Sequence, residues 1–258
     1  MNYINFFNIA IPSYSLMIIL GLIISNIVAL NVIKKHQLIL DNFILLETYC
    51  LSFGMLGAKL LYLFIIRNAI DWSQIFNWSY TKNLLQGGFV FYGGLIGGLA
   101  GIFIASFLHK IDVKMYITKL IFCVPLAHGF GRIGCYLSGC CYGMPYSGPF
   151  HVEYHNIPYA LCEIKLFPIQ LVEAVILFLL AIVYFYLAYY NKKSPSLLPI
   201  TYFITYAVIR FILEFYRFDI QRGSFWALST SQWISLMILT SSLLIIVFKK
   251  TFKNSYTI

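Results

Sequence analysis

Residues 168–190 read PIQLVEAVILFLLAIVYFYLAYY, 23 residues with one charged side chain, Glu173. About 20 apolar residues in a helix cross the roughly 30 Å hydrocarbon core of a bilayer. The run is continuous, whereas a strand of a membrane barrel would alternate apolar and polar residues over about ten positions. It therefore reads as a membrane-spanning helix. Six more runs of this kind surround it, at 15–33, 43–66, 89–108, 115–137, 197–216 and 232–248. The whole chain of 258 residues is 60% hydrophobic and only 10% charged, with a mean hydropathy of +0.81. A soluble domain carries about 25% charged residues, so a soluble enzyme is excluded. The expected fold is an all-α polytopic membrane protein of about seven transmembrane helices. It forms one domain over 1–258, with a long polar loop at about 138–167.

The opening MNYINFFNIAIPSYS has neither a basic n-region nor a small-residue cleavage site, so the first run is expected to be kept as a helix. Orientation follows from the basic residues. One set of flanks holds Lys34, Lys35, Lys110, Lys114, Lys192, Lys193, Lys249, Lys250 and Lys253, nine in all. The other holds Arg67, Lys82, Lys165, Arg217 and Arg222, five in all. This split puts the N-terminus outside and the C-terminus in the cytoplasm, with the 138–167 loop on the outer side. The formal charge of +9 then reads as topology and contact with anionic lipid, not as a surface for nucleic acid.

With that topology, polar residues inside the spans acquire a depth. Tyr14 stands at the outer start of the first helix, and Lys59 in the outer half of the second. The outer start of the third is GGFVFYGGLIGGLAG, which includes Tyr92. His128 and Arg132 reach the outer end of the fourth, Gln170 and Glu173 begin the fifth, and Tyr206, Arg210, Glu214 and Arg217 line the sixth. Lys119, near the inner end of the fourth, reads as a snorkelling side chain. Arg210 with Glu214, or Glu214 with Arg217, reads equally well as a local neutralising pair. Taken together, Lys59, Arg132, Arg210 and Arg217 outnumber Glu173 and Glu214 at one depth. An excess of cations in low dielectric calls for an anion, and planar guanidinium groups match phosphate oxygens in a bidentate way. A phosphorylated lipid head group entering from the outer leaflet fits both charge and depth.

Two further patterns need a reading. Gly93, Gly97 and Gly101 recur every four residues, the small-residue face that lets membrane helices approach closely. Cys135, Cys140 and Cys141 give C-x4-C-C, without the C-x2-C pairs of a zinc site. They are open to three readings: a metal site with His128, an outer-face disulfide or redox centre, or small apolar packing residues. No metal or cofactor is expected from the sequence.

These residues resemble the prolipoprotein diacylglyceryl transferases of bacterial inner membranes, in order along most of the chain. The likeness runs through Tyr14, GAKL at 57–60, the glycine block at 87–98 and GRIG…G…G at 131–143. It continues through PIQLVE at 168–173, Y-x3-RF-x2-EF-x-R at 206–217 and the segment 229–233 before the last helix. The resemblance implies transfer of the diacylglyceryl group of phosphatidylglycerol to the lipobox cysteine of a prolipoprotein signal peptide, forming a thioether and releasing glycerol phosphate. It implies that Arg132 holds the head group, Arg210 stabilises the departing phosphate, Glu173 and Glu214 orient the arginines, and Tyr14 and Tyr206 contact head group or thiol. Lys59, Gly139, Gly143 and Arg217 are implied as further substrate-binding positions.

Two departures stand out. The family's glycine block usually carries a histidine where this chain has Tyr92, and its arginine signature carries polar residues where this chain has Cys135, Ser138 and Cys140. His128, one turn before Arg132 on the same helix face, is a candidate replacement base, beside the reading of a satisfied packing residue. Readings that compete with the transferase are a paralogue acting on another lipid or acceptor, an organic-anion transporter, and a thiol-redox protein built on the three cysteines. Against a transporter, the chain has no repeated halves.

Overall fold

The computed structural model describes residues 3–6, 9–154, 164–190, 197–218 and 224–255. Residues 155–163 of the expected outer loop, and Lys192, Lys193 and Arg222 of the charge count, lie outside the described residues. Among the described residues there are nine α-helices. They are α1 (Ser13–Lys35), α2 (Leu40–Ile65), α3 (Trp78–Gln86), α4 (Phe91–His109), α5 (Val113–Leu120), α6 (Cys123–Ser138), α7 (Ile169–Tyr190), α8 (Leu198–Leu213) and α9 (Thr230–Ser255). Two short antiparallel hairpins precede α1 and α9, Tyr3–Phe6 with Ile9–Pro12 and Ser224–Phe225 with Leu228–Ser229.

Six of these helices are long and apolar enough to cross a membrane, and there are seven if α5 and α6, bent by 52°, are counted as one broken span. The fold is thus the all-α polytopic one expected. The 115–137 run is where it departs from a straight helix, and Pro125 supplies the reason. It lies in the first turn of α6, where its missing N–H is tolerated. A helix continued backward from there would need that N–H and would drive the ring into the carbonyl of Ile121. The break falls at Ile121 and Phe122 instead.

The chain resolves into two compact units, Met1–Lys35 with Ile117–Ile258, and His36–Tyr116. In the second, α2 and α4 meet through glycine. A Cβ on Gly57 would strike the carbonyl oxygen of Gly93 and come within 3.0 Å of the Gly97 Cα, so the two backbones are in direct contact. That is the close approach which the four-residue glycine spacing predicts.

In the first unit α1 packs on α6, α6 on α7, and α8 on α7 and α9. Leu177, Ala181, Tyr184 and Ala188 form the buried stripe of α7. Its last turn is closed by cations. Lys119 is buried and its Nζ donates to the carbonyl of Ala188 at 3.4 Å, while the Nζ of Lys35 lies 3.6 Å from the centre of the Tyr189 ring. The final carbonyls of a helix lack partners within it and carry the negative end of its dipole. Lys119 therefore turns inward to cap a helix, a correction to the snorkelling reading.

Candidate active site

Three helices of the first unit each carry a polar ladder on one face. On α6 the ladder is His128, Arg132 and Cys135, at the four- and three-residue steps that stack side chains on one side of a helix. On α7 it is Gln170 and Glu173, and on α8 Tyr202, Tyr206 and Arg210, with Glu214 one turn further on. The ladders converge on Glu173, which is 1% exposed. Its Oε1 is 3.0 Å from Arg132 Nη2 and accepts a hydrogen bond from the Tyr206 hydroxyl at 3.1 Å. Its Oε2 is 3.5 Å from Arg210 Nη1 and 3.9 Å from Arg217 Nη1. Arg210 turns its other nitrogen, Nη2, to Glu214 Oε2 at 2.7 Å and to Ser231 Oγ at 3.3 Å. The His128 ring stands edge-on to Tyr206 with centroids 5.3 Å apart, and Tyr206 stacks on Tyr202.

Local structure explains how these groups are held. After α6 the chain makes a Schellman turn: Cys140 N–H donates to the Cys135 carbonyl at 3.1 Å and Gly139 N–H to that of Tyr136 at 3.2 Å. Gly139 has φ 67°, a left-handed conformation that glycine adopts without a Cβ penalty. The outgoing chain pairs Gly143 with Arg217, and Met144 N–H donates to the Tyr216 carbonyl at 2.9 Å. Gly143 is packed so tightly that a Cβ there would strike the Phe167 carbonyl oxygen. Both glycines thus set the backbone that presents Arg217. On the far side, Ser229 and Gln232 form a reciprocal capping box at the start of α9, with bonds of 3.0 and 3.2 Å. That cap fixes Ser231 against Arg210.

Among the described residues, three guanidinium groups gather around two carboxylates in a largely water-free setting. Among the described residues, four buried side-chain polar atoms lack a hydrogen-bond partner, and three of them, Arg132 Nε, Arg210 Nη1 and Gln170 Oε1, are at this end of the helices. A buried polar atom without a partner costs roughly 1–3 kcal/mol, a cost that falls on Arg132 Nε and Gln170 Oε1, while Arg210 Nη1 keeps its ion pair with Glu173. Gln170 Nε2 is engaged, donating to the Cys140 carbonyl at 2.8 Å and to the Tyr154 hydroxyl at 3.1 Å. Burial pushes the Tyr154 hydroxyl well above its ordinary pKa, so it stays protonated. Beside it, hydrogen bonds from the Cys135 and Cys140 thiols, and then the charges of Arg217 and Arg132, favour the thiolate of Cys141. The set as a whole can bind an anion and stabilise charge that grows on it.

A family model described as prolipoprotein diacylglyceryl transferase matches residues 2–248. The chain belongs to this family. A phosphatidylglycerol–prolipoprotein diacylglyceryl transferase of Clostridium tetani is 38% identical over 233 residues, 89% of this chain and 90% of the relative. One of Clostridium perfringens is 32% identical over 240 residues, covering 93% and 91%, and one of Campylobacter jejuni is 27% identical over 260 residues, covering 95% and 92%.

Within this diacylglyceryl transferase family member, the first unit gathers Arg132, Glu173, Tyr206, Arg210, Glu214, Arg217 and His128. Tyr14 is 41% exposed and packs its Cα and ring against Gly134 of α6. Lys59 and Tyr92 belong to the second unit. There Lys59 donates to three carbonyls, Gly87 at 3.0 Å, Leu84 at 3.2 Å and Gly88 at 3.3 Å, which ties the chain before α4 to α2. Tyr92 is half-buried in the first turn of α4. Sequence reasoning did not single out Ser231 or Tyr154. Ser231 was legible through its capping box, whereas nothing local to Tyr154 announces its bond with Gln170.

Proposed function

We propose that this protein transfers the diacylglyceryl group of phosphatidylglycerol to the lipobox cysteine thiol of a prolipoprotein, at the outer face of the bacterial cytoplasmic membrane. The thioether formed is the first step of lipoprotein maturation. The observation that carries this reading is the three-arginine cluster around Glu173, buried at one end of α6, α7 and α8. It is supported by membership of the family.

The chemistry follows from the charges. The thiol sulfur attacks a glyceryl carbon, the carbon–oxygen bond breaks, and its electron pair leaves on the phosphate ester as glycerol phosphate. Arg132 and Arg217 hold the head-group phosphate, and Arg210 meets the oxygen on which charge develops. Glu173 and Glu214 keep these guanidinium groups in place beforehand, so that little reorganisation is needed during the reaction. His128, against Tyr206, receives the thiol proton, and Tyr14 and Tyr206 contact head group or thiol. The N-terminus lies outside and the C-terminus in the cytoplasm, in line with the basic residues of the flanks.

The test incubates purified protein with radiolabelled phosphatidylglycerol and a lipobox peptide, beside the same peptide with serine in place of cysteine. Label is expected on the cysteine peptide alone, and Arg132→Ala is expected to abolish it. A folded enzyme that leaves the cysteine peptide unlabelled overturns the proposal.

A further inference from the structure

Cys135, Cys140 and Cys141 bring their Sγ atoms within 4.8 Å of one another. The turn after α6 gathers them. Gly139 closes the helix, and Cys141, with φ 59°, bends the chain back so that its thiol rejoins the other two. A left-handed backbone is disfavoured for any residue with a Cβ, and glycine is the usual occupant. Gln37, Lys110, Phe150 and Trp226 share this conformation, so what sets Cys141 apart is that its turn returns the thiol to two others. Cys135 is buried, Cys141 half-buried and Cys140 exposed, so the cluster reaches from the helix core to the surface.

Three thiols suit a metal better than a disulfide. A disulfide joins two sulfurs and strands the third, whereas here all three are mutually close. Zinc–thiolate bonds of about 2.3 Å set sulfur–sulfur edges of about 3.8 Å in a tetrahedral site. The cluster, at 4.8 Å or less, needs each pair to close by no more than about 1 Å. Three thiolates around a divalent ion also carry one net negative charge. That charge would sit beside Arg132, three residues before Cys135, and Arg217, which pairs with Gly143 two residues after Cys141.

We infer that Cys135, Cys140 and Cys141 form a trithiolate site for a thiophilic d10 metal ion, with the fourth position open to water on the exposed side of Cys140. Soft thiolate ligands select Zn²⁺ and Cu⁺ over harder ions. The site adjoins the arginines of the proposed transfer site, and its test reads bound metal, not activity.

The full chain, purified and reduced in detergent, is dialysed against Zn²⁺ and analysed for bound metal. It is then titrated with Cd²⁺ while thiolate-to-metal charge-transfer absorbance is followed. About one tightly held ion per chain is expected. Replacing Cys50, Cys123 and Cys162 together by serine is expected to leave it in place, whereas Cys140→Ser and Cys141→Ser each lose it. Cys141→Gly guards against a folding artefact. It relieves the left-handed backbone, so it is expected to fold at least as well as the parent and still to lose the ion. The inference is overturned if the reduced chain holds no stoichiometric ion. It is equally overturned if the serine variants keep the ion, or if mass spectrometry finds two of the three thiols joined in the protein as isolated.

Discussion

Replacing Glu173 by glutamine tests the centre of the site. The amide is the same size, keeps an oxygen for the Tyr206 hydroxyl, and removes only the charge that three arginines share at 3.0, 3.5 and 3.9 Å. Deleting one partner of a buried ion pair costs about 3–5 kcal/mol, because the charge left behind stays out of water. Here the upper end applies, since one carboxylate serves three guanidinium groups. Each kcal/mol lowers the melting temperature of a domain of 150–250 residues by roughly 2–4 °C, so a fall of roughly 10–20 °C is expected. The assay heats detergent-solubilised protein and follows the monodisperse peak by size exclusion. Two companion results are expected on the same reasoning. Inorganic phosphate, binding a cluster with more unbalanced positive charge, raises the melting temperature of the variant more than that of the parent. Adding Arg132→Gln to Glu173→Gln costs less than the two single changes summed, because the second removes a repelling charge. A fall of less than about 3 °C would refute the reasoning, since the arginines would then be held by something other than Glu173.

Three further outcomes are expected. His128→Gln lowers transfer to the lipobox peptide about 100-fold or more while phosphatidylglycerol binding is unchanged, as loss of a general base does; an unchanged rate removes His128 from the reaction. Gly57→Leu prevents α2 and α4 from meeting, because even a Cβ there collides with the Gly93 carbonyl. The variant is expected to be lost from the membrane fraction, and normal yield with normal melting would contradict the close packing. Lys59→Met strips the Leu84, Gly87 and Gly88 carbonyls of their shared donor, and amide hydrogen exchange around 84–88 is expected to speed up with little change inside α7.

Spans were legible in the sequence because a bilayer imposes one length and one polarity on every crossing helix. Six of the apolar runs each correspond to one helix, with ends within a few residues apart from the last, which extends to Ser255, while the 115–137 run is broken into α5 and α6. The ladders were legible for a related reason. A charged residue inside a span has to be offset by a partner, so Arg132, Glu173 and Arg210 could be expected to seek one another before any contact was seen. Partner choice was another matter. The local pair Arg210–Glu214 does form, at 2.7 Å, whereas nothing in the sequence announces that Arg217 also approaches Glu173 on α7, 44 positions earlier in the chain. That approach depends on the pairing of Gly143 with Arg217, a long-range backbone contact with no local pattern behind it.

The cysteines illustrate the same limit from the other direction. By spacing alone, C-x4-C-C lacks the C-x2-C pairs of a zinc site. Left-handed turns at Gly139 and Cys141 reverse the chain within three residues, and sulfurs five and six positions apart become neighbours. Glycine at the first turn is an ordinary helix stop, and a reader of the sequence would expect it. A cysteine at the second is what no propensity predicts. It is also the position where packing alone favours glycine, so serine and glycine substitutions there separate a thiol that is used from one that merely fills space.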